Sequence, residues 1–208
     1  DQLDQVLKLH ITPEQLREIT RRAEQGDAID QTFLGILYQN GWEGLPQHYQ
    51  LAAKWFKLAA EQGDVGAQFN LGLMYHRGLG VPQNYQLAFK WSLLAAEQGN
   101  AIAQAELGDL YAFGKGVNQD IYEGLKWYTR AAEQGNADAQ YQLGLVYYYG
   151  KGIPQNFVLA HKWINLAAAQ GDKDAANSKA YLPNKMTPSQ IQEAQRLARE
   201  FKPKKESQ

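Results

Sequence analysis

The sequence predicts an all-α fold, a stacked array of helix pairs, and three observations carry that prediction. The first is a repeat. Trp91 followed by Ala95-Ala96-Glu97-Gln98-Gly99 recurs as Trp55 with Gly63, Trp127 with Gly135 and Trp163 with Gly171, a step of 36 residues each time, and Ala23-Glu24-Gln25-Gly26 is a fainter copy. A fixed period of about this size marks an array of stacked units, each too small to bury its own apolar face. The second is punctuation: Gly26-Asp27, Gly63-Asp64, Gly99-Asn100, Gly135-Asn136 and Gly171-Asp172 place a left-handed stop directly before an N-cap, which reads as a sharp helix-to-helix corner. The third is the apolar spacing of Ala67, Leu71, Met74 and Tyr75, which falls on one face of a helix at i, i+4, i+7 and i+8.

The elements follow in order. Leu3, Val6 and Leu7 have helical spacing, and Thr12-Pro13-Glu14-Gln15 reads as an N-cap, a first helical proline and a reciprocal capping-box residue for a helix reaching Gln25. In the repeat that stands for the rest, a first helix runs from about Val65 to Arg77 and stops at Gly78. Its counterparts carry Ala103, Leu107, Leu110 and Tyr111, then Ala139, Leu143, Val146 and Tyr147. Gly35, Gly72, Gly108 and Gly144 lie inside these helices, where glycine costs roughly 1 kcal/mol relative to alanine; their recurrence implies close helix approach. The loop Leu79-Gly80-Val81-Pro82-Gln83 turns the chain, and Asn84, Asp120 and Asn156 cap the second helices, with His48 in that slot beside an insertion around Trp42. Second helices set Tyr85, Ala88, Trp91 and Ala95 on an inner side. Beyond Gly171 the pattern decays into a short alanine-rich helix, a break at Pro183, and a last helix begun by the capping box Thr187-Pro188-Ser189-Gln190.

Composition narrows the function. With 21 basic and 22 acidic residues the net charge is -1, which gives no general attraction to nucleic acid or anionic lipid. No apolar run reaches the ~18 residues that a membrane span needs. There are no cysteines, hence no disulfides or thiolate metal sites. The first residue is Asp1, consistent with either a removed leader or a trimmed chain. His10, His48, His76 and His161 have no metal-ligand spacing and are expected at the surface. Ser92, Ser178, Ser189 and Ser207 have no nucleophile-elbow context. Gly108 to Lys115 and Gly144 to Lys151 resemble phosphate loops, but the spacing is one residue too long and glycine takes the Ser/Thr slot, so they read as interhelical turns. No catalytic, cofactor or metal residues are assigned. Glu61, Glu97 and Glu133 recur with the period, which points to structure; a glutamate in the last helical turn opposes the macrodipole and calls for a tertiary partner.

Taken together, Ala67-x3-Leu71-Gly72-x2-Tyr75-x2-Gly78-x-Gly80-Val81-Pro82-x5-Ala88-x2-Trp91-x3-Ala95-Ala96-Glu97-Gln98-Gly99 resembles the Sel1-like repeat, a relative of the tetratricopeptide unit, and with it a bacterial source is expected. The departures are Asp30 for the first alanine, Asn118 for the loop proline and Ala169 for the glutamate. The resemblance implies a right-handed α/α superhelix of antiparallel helix pairs, with four repeats at about 28–63, 64–99, 100–135 and 136–171. Residues 1–27 and 172–201 then form capping helices, and 202–208 a disordered tail. It further implies a scaffold that binds a peptide or protein on its concave side, is periplasmic or secreted with the cytoplasm as the alternative, and takes no nucleic acid, membrane insertion or cofactor. The array is expected to be a monomer. The rival classes are a hydrolase of cell-wall or antibiotic substrates, for which no nucleophile, base and orienter can be assembled, and a structural spacer.

The candidate binding residues are those that do not repeat. Positions half a turn from Leu71 hold Phe69, His76 and Arg77 on one first helix, Asp109 and Phe113 on the next, and Tyr141, Tyr148 and Tyr149 on the one after. Tyrosine and arginine are favoured at binding hot spots, and the pair Arg77 and Asp109 is expected to add salt-sensitive specificity.

Overall fold

The computed structural model describes residues 11–42 and 44–204. Within them the chain is all-helical, with eleven α-helices, one 3-10 turn and, in place of strands, a single isolated bridge pairing Trp42 with Leu45. The helix expected around Leu3, Val6 and Leu7 lies outside the described residues, as do residues 205–208. The chain divides into two compact units, Asp1–Gln83 and Asn84–Gln208.

The first unit holds α1 (Pro13–Glu24), α2 (Ala28–Asn40), α3 (Tyr49–Glu61) and α4 (Val65–Arg77), each packed on the next. Thr12 and Gln15 complete the capping box of α1. His48 does cap α3, its Nδ1 accepting the Leu51 amide at 3.3 Å. The core is Ala23, Leu34 and Leu37, wrapped by Leu16, Ile19, Trp42 and Trp55.

The second unit holds α5 (Tyr85–Glu97), α6 (Ala101–Phe113), α7 (Ile121–Glu133), α8 (Ala137–Tyr149), α9 (Phe157–Ala169), α10 (Lys173–Tyr181), the 3-10 turn Leu182–Lys185 and α11 (Pro188–Arg199). Consecutive helices pack on one another as far as α10, and α11 returns to lie on α9. The core runs through Tyr128, Ala131, Ala139, Leu143 and Trp163 to Ala160, Ile164, Ala175 and Leu182. The repeat-phased tryptophans are not equal: Trp127 and Trp163 are buried, whereas Trp55 and Trp91 keep part of their surface in solvent.

Two local devices make the array regular. At each corner the chain reverses within a few residues. Gly63 sits at φ 95°, the amide of Asp64 reaches back to the Ala59 carbonyl at 3.1 Å, and its carboxylate accepts the Ala67 amide at 2.7 Å. That reversal closes the C-terminus of one helix and the N-terminus of the next together. Within the helices, a Cβ on Gly108 would stand 2.4 Å from the Tyr128 ring, and one on Gly144 2.5 Å from Ile164, so α6 and α8 touch their partner helices through bare backbone.

A ladder of buried glutamines joins the corners. Gln31, Gln104 and Gln140 donate to the carbonyls of Ala23, Ala96 and Ala132 at 3.0 to 3.1 Å. Their own amide oxygens accept from Gln62, Gln134 and Gln170, one repeat further on. These carbonyls lie in the last turn of a helix, where each already accepts the amide of the corner glycine at 3.0 to 3.1 Å; the glutamine is a second donor to each and takes the place of water in a dry corner.

Candidate functional site

The non-repeating residues of α8 build one end of the second unit into an aromatic cleft. Asn136 starts that helix and Gly150 ends it, which fixes Tyr148 and Tyr149 in its last turn. The Tyr148 ring meets Tyr149 edge-on at 4.9 Å and Phe157 at 5.7 Å. Tyr141, two turns earlier, places its hydroxyl 3.2 Å from Ser178 on α10. Leu145, Tyr148 and Tyr149 then line, with Ser178, Tyr181 and Leu182, a cleft of about 160 Å³. Tyr149 and Tyr181 form its exposed rim, at 60% and 73% accessible, and Lys151 lies 5.4 Å from the Tyr149 ring. The chemistry is that of a socket for an apolar side chain, with phenol and serine hydroxyls around the mouth.

The other candidates are placed differently. Phe113, the last residue of α6, is exposed, and the Lys115 ammonium stands 6.0 Å from its ring. Asp109, on the same helix, accepts a hydrogen bond from the hydroxyl of buried Tyr128. Burial first, and then the charges of Asp109 and Glu106, push the Tyr128 phenol well above its ordinary value, so it stays a donor at every physiological pH. Asp109 thus anchors α6 to α7. Phe69, His76 and Arg77 belong to α4 of the first unit, where Phe69 and His76 are half-buried and Arg77, at the helix end, is exposed. The structure therefore brings Tyr148 and Tyr149 together and sets Tyr141 beside α10. The sequence did not point to Tyr181 and Leu182, because they lie past the last full repeat; a large tyrosine in an otherwise small and polar helix is the signal they leave.

Two expectations are corrected. His161 is buried, 2% accessible, because α9 is covered by both α10 and α11. Its Nδ1 lies 2.8 Å from the Asn165 amide nitrogen. Burial, with Lys179 adding, holds its pKa below the ordinary histidine value. The segment after α11, expected to be unstructured from residue 202, is instead docked as far as Lys204. Phe201 stacks edge-on against Trp163 at 5.5 Å, the Lys204 amide donates to the Glu133 carbonyl at 2.8 Å, and the Lys204 ammonium meets the Glu133 carboxylate at 2.9 Å. That ion pair supplies the tertiary partner which Glu133, in the last turn of α7, requires. Among the described residues no group of three His, Asp or Glu side chains is placed to hold a metal ion, and no helix is long and apolar enough to cross a membrane.

The comparisons with known proteins fit this geometry. The model of the Sel1 repeat matches residues 28–64, 65–100, 101–136 and 137–172. Among solved structures the chain is similar to a protective antigen of uropathogenic Escherichia coli described as displaying an SLR fold, at 36% identity and TM-score 0.87, over 96% of this chain and 43% of the antigen. It is also similar to a Sel1 repeat protein from Oxalobacter formigenes, at 32% identity and TM-score 0.72, over 91% and 73% of the two chains. An immunity protein from Pseudomonas aeruginosa aligns at 25% identity and TM-score 0.56, over 96% of this chain and 78% of its own. An F-box protein of Arabidopsis thaliana is 43% identical over 58 residues, 28% of this chain and 16% of that protein. The chain thus spans less than half of the antigen and a small part of the F-box protein.

Proposed function

Because the chain belongs to the Sel1 repeat family, whose members are commonly protein-interaction scaffolds and generally not enzymes, we propose that it binds a protein ligand on the non-repeating stripe of its first helices, the stripe expected to face the concave side. The observation that carries this reading is the aromatic cleft at the end of α8, where Tyr148, Tyr149 and Tyr181 surround about 160 Å³ of accessible space. Aromatic side chains so placed give large contact area at small entropic cost, the make-up of an interface hot spot. The framework residues, Gly108, Gly144 and the glutamine ladder, hold the stripe in register without meeting the ligand. On this reading the ligand presents an aliphatic or aromatic side chain to the cleft and hydrogen-bonding groups to its hydroxyl rim.

Selecting a displayed random-peptide library on the purified protein, and measuring the selected peptides by titration calorimetry, tests the reading. Tyr149→Ala and Tyr181→Ala alter exposed rings and should leave circular dichroism and melting close to those of the parent, while each weakens binding by about 1 to 4 kcal/mol. Arg77→Ala should weaken binding only for ligands that also reach the first unit, and more at low salt than at high. Parent affinity in both tyrosine variants would show that the cleft is not the site.

A further inference from the structure

The docked segment Phe201–Lys204 shows what kind of peptide this framework holds, and a framework of the same kind recurs in the first unit, where none of the described residues fills it. In the second unit the segment lies along the end of α7 and the middle of α9. The Phe201 ring stacks on Trp163, and the Lys162 ammonium stands 4.0 Å from the Trp163 ring and 5.6 Å from that of Phe201. Pro203 crosses Gly135, its Cγ 3.5 Å from where a Cβ would project, so the proline ring packs on the corner at van der Waals distance. Lys204 then closes on the carbonyl and the carboxylate of Glu133. An aromatic ring, a proline and a lysine are each read by one feature of the repeat.

Each feature has its counterpart in the first unit. Three periods before Trp163 stands Trp55, with Lys54 at 5.6 Å from its ring as Lys162 is beside Trp163. The corner Glu24-Gln25-Gly26 has the place of Glu133-Gln134-Gly135, and Glu24 ends α1 as Glu133 ends α7. The same hydrogen bonds set the two corners. Gln31 donates to Ala23 and accepts from Gln62, and Gln140 donates to Ala132 and accepts from Gln170. The counterpart groove is an open trough of about 570 Å³, with Trp55, Leu58, Glu24 and Glu61 on its walls. Leu58 is exposed and Trp55 half-covered. It also carries a carboxylate that the second unit lacks. Glu61 stands where Ala169 stands there, its only close cation the exposed Lys57 at 3.9 Å among the described residues.

We propose that the Trp55 groove is a second binding site, which takes an extended segment of a partner protein in which an aromatic residue is followed, two and three positions on, by proline and lysine. The aromatic ring lies against Trp55 and the Lys54 ammonium, as Phe201 lies against Trp163 and Lys162. The proline crosses Gly26, and the lysine amide and ammonium meet the carbonyl and carboxylate of Glu24. Glu61 makes this groove more acidic than its filled counterpart, so it selects basic residues around the motif more strongly. The site shares no residue with the aromatic cleft of α8 and stands or falls apart from it.

The test uses the full chain and a fluorescein-labelled synthetic peptide, Ala-Phe-Lys-Pro-Lys-Ala with blocked ends, read by fluorescence anisotropy. Binding should weaken at least tenfold when the peptide's phenylalanine is replaced by alanine or its last lysine by glutamate, and it should weaken with salt. Trp55→Ala should abolish it. Because that change also removes packing, Glu24→Lys and Glu61→Lys provide exposed alterations that leave the fold standing, and each should weaken binding at least fivefold. Glu133→Lys should leave binding at Trp55 unchanged. Parent affinity in both Glu24→Lys and Glu61→Lys would overturn the proposal, as would loss of binding in Glu133→Lys alone, which places the peptide at Trp163. Concentration-dependent self-association abolished by both Phe201→Ala and Glu24→Lys would identify the occupant as a second copy and overturn the partner assignment.

Discussion

Trp55 and Trp163 occupy the same position three repeats apart, each followed by an alanine-rich turn and a corner, yet one borders an open trough and the other is buried under Phe201. The corners beside them carry the same glutamine hydrogen bonds, so the repeat itself does not account for the difference. What differs is the coverage: the second unit has α11 lying back on α9 and a docked segment after it. A stacked repeat specifies the shape of its surface from within, through positions that obey the period. Whether that surface is core or binding face is decided by residues outside the period.

The largest expected effect separates the two tryptophans. Trp163→Ala removes a side chain that is 6% accessible and packed against Phe201 and the Tyr128 cluster, which should lower unfolding stability by about 3 to 5 kcal/mol. Trp55→Ala removes a half-covered ring and should cost roughly half as much, since less apolar surface returns to water. Urea denaturation of the two variants, followed by circular dichroism, measures the difference. Equal midpoints would mean that the coverage of Trp163 contributes nothing, and the contrast between the grooves would lose its energetic meaning.

A smaller effect turns one groove into the other. Phe201→Ala takes away the ring stacked on Trp163 while leaving α11 in place, and should cost about 1 to 2 kcal/mol. The Lys204 contact with Glu133 should then loosen, because an exposed ion pair alone holds little. Calorimetry with the peptide Ala-Phe-Lys-Pro-Lys-Ala should show one site in the parent and two in the variant. A single site in both would show that the second unit's groove does not open when its ring is lost.

The parts of this molecule that were legible in its sequence are those whose physics is local or periodic. Gly63-Asp64 needs only a left-handed residue and a cap, so the corner could be read from two letters. Gly108 announced close approach because a helix keeps such a glycine only where a neighbour leaves no room, and Tyr128 is that neighbour. The glutamine ladder was written with equal regularity, at Gln68, Gln104 and Gln140, but a polar residue is not ordinarily assigned to a core, and only the folded corner shows the helix-end carbonyl that accepts from it. Of the candidate binding residues, Tyr148 and Tyr149 came together because both lie in one helical turn. Asp109 accepts a hydrogen bond from Tyr128, which lies on the next helix in a slot that other repeats fill with Phe56 or Ile164, so the sequence pattern did not announce that contact. The Lys204 contact with Glu133 spans 71 residues and leaves no periodic trace; the one hint was a glutamate in an unfavourable helical turn.

The smallest expected effect follows from the same coverage. His161 and Asn165 on α9 correspond to Ala53 and Lys57 on α3; Ala53 is buried as His161 is, whereas Lys57 is exposed where Asn165 is buried. Sealing a histidine makes stability depend on pH in a definite sense. In the unfolded chain His161 titrates near its ordinary value of 6.5; in the folded chain burial, with Lys179 adding, holds it lower. Above about pH 6.5 the ring is neutral in both states and its contribution is constant. As pH falls below that value, the unfolded chain takes up a proton that the folded chain refuses, so stability declines until the folded-state pKa is passed. Urea midpoints at pH 7.5 and pH 5.5 should therefore fall less in His161→Gln than in the parent, and hydrogen exchange should locate the acid-sensitive opening in α9 and α11, leaving α3 unaffected. Identical pH dependence in the two proteins would show that His161 meets solvent in the folded state, and that α10 and α11 do not seal α9.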